Sequence, residues 1–389
     1  MVCTISAEDP PSRRKTHHLG GRPTTSAEKG RGGAWDAGAV SDGANEHSSP
    51  TARTTAATDA VIPLPSNRPA ARFYRGGRRI TDFRGEPAAD DFEPEDWVGS
   101  VTPVRGESPS GMTVLADGTL LAGAIAGDPV HWLGPAHVAA FGTDPMLLVK
   151  LLDAGQRLPV HAHPDRAWAA AHLGAAHGKT EAWYVLSAGE VHLGLARDLG
   201  AIELAGIVDR QDAAALLAAM HRLTVAPGDI VHVPAGVLHA IGEGILLVEL
   251  QEPEDLSILA EWDGFAIDGA AGGHLGVGFA EALTAVENTA RTRADVEALV
   301  HRAGTDTPLL PADADAFFRI ERHLVRGPVE LAPGFAILVV LGGEVGIRSG
   351  ESGTQLLPRG STALLPHATG SVTLDGAGEL LACRPPAPR

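Results

Sequence analysis

Residues 155–189 read GQRLPVHAHPDRAWAAAHLGAAHGKTEAWYVLSAG, and the fold turns on how they are read. Arg157 to His163 alternates apolar and polar positions, as a half-buried strand does. His161 and His163 sit one residue apart. Residues i and i+2 of a strand project to the same face, so the two imidazoles point together, as two ligands of one ion must. The Ala-rich run 164–174 opens on Pro164 and closes on Gly174, which predicts a short helix. Gly178-Lys179-Thr180-Glu181 then leads into a strand, EAWYVL, and the turn Ser187-Ala188-Gly189 leads into another.

A second framed unit lies at 228–239. Gly228, Pro234 and Gly236 punctuate a strand–turn–strand, and His239 would close the site from an opposing strand. Glu181, opening a strand of its own, can add a carboxylate. Three imidazoles and one carboxylate suit Zn²⁺, Fe²⁺ or Mn²⁺. A lone His-x-His means little in a chain with 17 histidines. Two halves, each framed by Gly or Pro, mean considerably more. His172, His177, His192, His221, His232 and His301 lack such a frame and are read as structural.

The same rhythm of short apolar runs broken by Gly and Pro extends outward. MLLVKLLDAG (146–155) and GILLVELQEP (244–253) read as buried strands, and RLTVAPGDIVHVPAGVLHAI (222–241) as two more around Pro227-Gly228-Asp229. DRQDAAALLAAMHRL (209–223) predicts the clearest helix, and 278–304 one or two helices. The expected fold is therefore mainly β: two jelly-roll units joined by a short helical segment, behind a disordered N-terminal tail. The expected boundaries are 1–60 for the tail and 61–265 for a metal-binding catalytic domain with helical insertions. A helical connector follows at 266–316, then a metal-free β domain at 317–389. The tail is rich in small polar residues and holds seven basic and seven acidic side chains, so the net charge of −17 lies downstream.

That acidity argues against nucleic-acid and anionic-membrane partners and fits the handling of small molecules. The two cysteines, Cys3 and Cys383, form no disulfide framework and no zinc site, which suits a reducing cytoplasm. No apolar run approaches the roughly 18 residues of a membrane span. The N-terminus lacks the apolar core of a secretory signal.

The paired histidine motifs resemble those of the cupin superfamily. Within it, LPVHAHPDRAWAAAHLGAAHGKTEAWYVL resembles the active-site segment of type I mannose-6-phosphate isomerases: Gln-x-His-Pro-Asp, an insertion, then Gly-Lys-Thr-Glu-x-Trp-Tyr. PEDWVGSV (94–101) is similar to that family's Gly-Glu-Ser-Trp-Glu segment, and VPAGVLHAIGEGILLVELQEPEDLSILAEWDGF to its second ligand segment. The resemblance covers roughly residues 70 to 270. It implies zinc, one ion per chain, on His161, His163, Glu181 and His239, with Lys179 as an active-site residue. Near such an ion the Lys179 pKa is expected to fall, which favours proton transfer. Two departures stand out. His161 replaces the family's Gln, and Leu259 stands near a family Arg in a Ser-Asp-x-Thr-Tyr-Arg context. Arg84, Arg166, Arg197, Arg210 and Arg222 are the candidate replacements for that Arg.

The resemblance implies isomerisation between mannose 6-phosphate and fructose 6-phosphate through an enediol, with a sugar phosphate as the small-molecule partner and no redox cofactor. Lys179 leads as the proton-handling group, with Glu243 and Glu252 behind it. A cytoplasmic monomer or homodimer is expected. The competing readings are an iron or manganese dioxygenase, whose usual ligands are three His and one Glu, an isomerase of another sugar, and a non-catalytic sugar-binding cupin.

Overall fold

The strands Leu148–Asp153, Glu181–Val185 and Leu246–Gln251 are buried along their whole length because their sheet is covered on both faces. Alternate residues serve different neighbours. Val149, Leu151, Ala182, Tyr184, Val248 and Leu250 pack toward the C-terminal sheet. Leu152, Trp183, Val185 and Leu247 pack toward a second sheet of the N-terminal half. On that same inner side Lys150, Glu181 and Glu249 carry buried charges.

The computed structural model describes residues 60–304, 309–350 and 353–388. The expected disordered tail, 1–60, lies outside the described residues apart from Ala60. Among the described residues there are three sheets, and every strand pair in them is antiparallel. The six-stranded sheet runs Val300–His301, Ile230–Val233, Glu181–Val185, Leu246–Gln251, Leu148–Asp153, Glu95–Val98. The five-stranded sheet runs Ile258–Leu259, His161–Ala162, His239–Ile241, Gly189–Leu195, Met220–Val225. These two face each other around the core of Trp183, Val191, Leu193 and Leu223. The seven-stranded sheet is built from strands between Arg319 and Arg384, and Ile62–Leu64 joins it by pairing with Thr362–Leu365.

Several elements differ from expectation. The strand expected over 157–163 keeps ladder pairing only at His161–Ala162, because Pro159 and Pro164 bracket it and donate no N–H. The whole stretch from Leu158 to Pro164 is buried rather than half-buried. The helix expected over 209–223 is confined to Ala213–Ala218, capped by Asp212, whose side chain accepts from Ala215 N–H. Its second half, Met220–Val225, is instead a strand paired with Gly189–Leu195. A further helix, Ala201–Asp209, precedes it.

In 278–304 the helices are short, Phe279–Ala282, the 3-10 turn Leu283–Ala285 and Arg293–Glu297, and the range ends in the strand Val300–His301. The chain between them is drawn off by backbone bonds from Glu287 N to Gly236 O, 2.8 Å, and from Arg291 N to Leu195 O, 2.8 Å. A capping box of Thr292 and Asp295 restarts the helix. The Ala-rich insertion forms a helix as expected, Arg166–Leu173, with Asp165 as N-cap and Gly174 in the left-handed C-cap.

One close approach pins the site. A Cβ on Gly155 would lie 2.0 Å from the carbonyl oxygen of Gly76, so only glycine lets the 76–77 backbone cross there. No helix among the described residues is long and apolar enough to cross a membrane.

Candidate metal centre

His161 and His239 lie directly opposite each other on neighbouring strands, and His163 follows two residues on from His161. Their ligand-capable atoms all lie within 4.8 Å of one another, and all three side chains are buried. Each Nδ1 meets a backbone carbonyl: Pro159 O at 2.8 Å from His161, Leu256 O at 2.6 Å from His163, and Val237 O at 2.9 Å from His239. A carbonyl only accepts, so each Nδ1 carries the proton and each Nε2 offers a lone pair. This outer ring of carbonyls is how metal-binding imidazoles are held.

Burial keeps all three imidazoles neutral. It depresses His163 to about 3 and His239 to about 3, and His161 well below the usual imidazole value. The neighbouring Lys179 ammonium pushes His163 the same way.

Glu181 enters from the six-stranded sheet. Its Oε2 lies 3.1 Å from His163 Nε2 and its Oε1 3.4 Å from His239 Nε2. Trp183 Nε1 donates to Oε1 at 2.9 Å and orients the carboxylate. Burial works against its charge, but the neighbouring Lys179 ammonium outweighs it and holds its pKa well below normal. With Nε2 deprotonated, the His163–Glu181 contact brings two acceptors together, an arrangement that calls for a cation. Lys179 Nζ answers part of it, 3.2 Å from each of those two atoms. Nε2 of His239 is buried with no hydrogen-bond partner. Neutral Nε2 donors, one carboxylate and an orphaned lone pair fit a borderline-soft divalent ion.

Lys179 sits between two carboxylates. Burial alone would lower its pKa, but the carboxylates of Glu181 and Glu249 outweigh that and raise it, so the protein's own charges stabilise an ammonium. Glu249 Oε1 lies 3.6 Å from Lys179 Nζ and 3.6 Å from Lys150 Nζ. Lys150 and Glu249 are directly opposed in register. Neither was singled out from the sequence, nor were Arg72, Glu95 and Asp255, and all five line the same narrow cavity with His161, Lys179 and Glu181.

Of the weaker candidates, Glu243 is exposed in a turn. Glu252 is buried but faces away from the cavity, toward Thr180 and Arg166. Leu259 is buried and pairs with His161 across the ladder. None of the candidate replacement arginines lines the cavity. Arg84 binds Asp96 and Thr362, Arg197 binds Glu203, Arg222 binds Glu190, and Arg210 is exposed at a helix end. The cavity adjoins a wider cleft that shares Asp255 and is lined by Thr102, Arg105, His177 and Glu254.

The fold and the cluster define a β protein with a buried, histidine-rich site that can hold a metal ion. No family model matches the chain. The chain is 29% identical over 324 residues to mannose-6-phosphate isomerase of Streptococcus mutans, covering 79% of this chain and 93% of that one. It is 30% identical over 247 residues to mannose-6-phosphate isomerase ManA of Bacillus subtilis, covering 60% of this chain and 73% of that one. It superposes on the crystal structure of a mannose 6-phosphate isomerase from Bacillus subtilis with a TM-score of 0.65 at 22% identity, over 83% of this chain and 99% of that chain. An Arg→Ala variant of phosphomannose isomerase from Salmonella typhimurium superposes with a TM-score of 0.65 at 16% identity, over 84% of this chain and 100% of that chain. The chain belongs to the mannose-6-phosphate isomerase family.

Proposed function

We propose that this chain is a metal-dependent aldose–ketose isomerase that interconverts mannose 6-phosphate and fructose 6-phosphate in the cytoplasm. The observation that carries the reading is the cluster of three imidazoles with the Glu181 carboxylate, beside a cavity lined by His161, Glu181, Lys179 and Glu249. We take His161, His163, Glu181 and His239 as the ligands and zinc as the ion, with Fe²⁺ and Mn²⁺ as alternatives that metal analysis separates. Residues 61–265 supply this site. Among the described residues of the C-terminal β unit there is no comparable cluster.

The ion supplies Lewis-acid stabilisation of negative charge developing on the sugar oxygens. The rest falls to side chains. Moving a proton between C2 and C1 needs a base poised near neutrality. Glu249 is our candidate for that base. Burial raises its carboxyl above the usual range, Glu181 adds to this, and Lys150 and Lys179 oppose it. Its Oε1 has no hydrogen-bond partner. Lys179, held as an ammonium, is suited to donate to a sugar oxygen as charge builds there. Lys150, beneath Glu249 and 4.7 Å from the Trp97 ring centroid, fixes the floor.

The test is a coupled isomerase assay with mannose 6-phosphate on zinc-loaded protein, with His163→Ala as control. Turnover in the first and none in the second is expected. Equal turnover in both, or none in either with zinc bound at one per chain, would overturn the reading.

A further inference from the structure

Thr180 is the one residue between Lys179 and Glu181, and its backbone is held at both ends by a single side chain and its own main chain. Glu252, just past the Leu246–Gln251 strand, is fully buried. Its Oε2 accepts from Thr180 N–H at 2.9 Å, and its own N–H donates to Thr180 O at 3.1 Å. Its other oxygen accepts from Arg166 Nε. The Arg166 guanidinium stacks over Phe317, 4.6 Å from the ring centroid, and donates to Ala316 O at 3.4 Å.

The opposite side of the segment is equally constrained. Lys179 N–H donates to Pro164 O at 3.0 Å. A Cβ on Gly178 would lie 2.6 Å from Pro164 O and 2.7 Å from Arg166 N. Residues 178–181 are thus clamped between the start of the insertion helix and the Glu252 carboxylate.

A buried carboxylate is a poor way to gain stability, because a packed apolar side chain does as well without the desolvation cost. It is a good way to fix a main-chain N–H. We infer that Glu252 is a positioning residue: through the Thr180 N–H it sets the separation of Lys179 and Glu181 from the imidazoles, with Arg166 holding Glu252 in place. The effect on turnover rests on the isomerase reading. The effect on the metal site rests on geometry alone.

The experiment strips the full chain of metal and titrates it with Co²⁺, following visible absorption, beside isomerase kinetics, for Glu252→Ala, Glu252→Gln and Arg166→Ala. Glu252→Ala should lose about 10–100-fold in Co²⁺ affinity and in kcat, the range for residues that orient metal ligands, with KM little changed. Glu252→Gln keeps an oxygen for the Thr180 N–H and should recover most of both. Arg166→Ala, whose side chain is 39% exposed, should fold and show a several-fold loss.

Folded Glu252→Ala protein with Co²⁺ affinity and kcat within twofold of the parent overturns the inference. So does a Glu252→Gln variant as defective as Glu252→Ala. If Glu252→Ala does not fold, Arg166→Ala decides, and unchanged values there overturn the inference. A parent without isomerase turnover whose Co²⁺ affinities still follow the expected series would sink the isomerase reading and leave the positioning role standing.

Discussion

His161 and His239 face each other in direct register, with ring centroids 4.1 Å apart and each Nδ1 tied to the carbonyl two residues upstream, Pro159 O and Val237 O. The two imidazoles are therefore fixed before any ion arrives, and they are not equivalent to lose. His239→Ala removes the orphaned Nε2 and leaves a void, and should weaken zinc binding by at least ~100-fold, more than the loss of a supporting residue. His161→Gln keeps a neutral donor at that position and should retain one zinc per chain with a smaller loss. Competition titrations with a chromophoric chelator measure both.

Glu249 stands opposite Lys150 and within 3.6 Å of Lys179, and its carboxyl is raised above 4.5 by burial. A base acts only when deprotonated, so kcat/KM should fall as pH drops through that raised value. Glu249→Gln should lower kcat by about 10²–10⁴, move KM far less, and remove that acidic limb from the pH profile. Steady-state rates of both proteins across pH 5–9, with zinc content checked at each point, would show it. An unchanged acidic limb would assign it elsewhere.

The metal cluster is legible in the sequence because its residues come in short local frames. Two histidines two apart on a strand, a Pro-Ala-Gly turn before His239, and a strand opening on Glu181 need no knowledge of the tertiary fold. Lys150, Glu249 and Glu95 lack such frames. Lys150 and Glu249 sit inside MLLVKLLDAG and GILLVELQEP, which read as core strands, and Glu95 sits in PEDWV, which reads only as similar to a family segment. A signal was nevertheless present. A lone charge inside a strand buried on both faces costs several kcal/mol unless partnered, so each marks a facing charge. The Arg157–His163 and 209–223 boundaries failed for another reason. Local periodicity does not reveal which backbone will pair with which, and ladder pairing overrode helix propensity at Met220–Val225.

Glu95 accepts from Trp97 Nε1 at 2.7 Å and from the Tyr74 hydroxyl, and lies 3.4 Å from Arg72 Nε. Burial works against its charge, but Arg72 and Lys150 outweigh it and hold its pKa at about 2, against an ordinary 4.5. Between those values the unfolded chain binds the extra proton, so unfolding is favoured as pH falls. The contribution is complete above pH 4.5 and lost as pH drops toward 2. Denaturant midpoints measured from pH 6 down to pH 3 should fall less steeply for Glu95→Gln than for the parent.

Arg105 lies in the cleft that adjoins the cavity, and its backbone N–H donates to Asp255 at 3.2 Å. Its guanidinium is exposed and reaches only Leu275 O, at 3.4 Å, among its hydrogen bonds to described residues. In contrast, Arg72 and Lys179 are committed to carboxylates inside the cavity. A phosphate seated in the cleft would find Arg105 available. Arg105→Ala should raise KM for mannose 6-phosphate about tenfold and leave kcat within twofold, the pattern of lost uniform binding. A fall in kcat at constant KM would place Arg105 in the chemistry instead.

Gly155 ends the stretch after Leu148–Asp153, where the 76–77 backbone crosses at contact distance and Gly155 N–H donates to Arg75 O at 2.9 Å. The crossing holds the segment that carries Arg72 and Tyr74 against the cavity. Gly155→Ala would force a methyl into the Gly76 carbonyl, and backbone cannot swing aside as a side chain tip can. The cost should be about 3 kcal/mol, at the upper end for overpacking a tight site. In a chain of this size that lowers the melting temperature by several degrees. Gly85→Ala is the control. It is strained by its left-handed φ of 68°, but a Cβ there meets nothing within 4 Å, so any loss comes from backbone strain alone. If Gly155→Ala costs no more than Gly85→Ala, the crossing at Gly76 is softer than its geometry indicates. A larger loss, accompanied by a raised KM for mannose 6-phosphate, would tie this contact to the placement of Arg72.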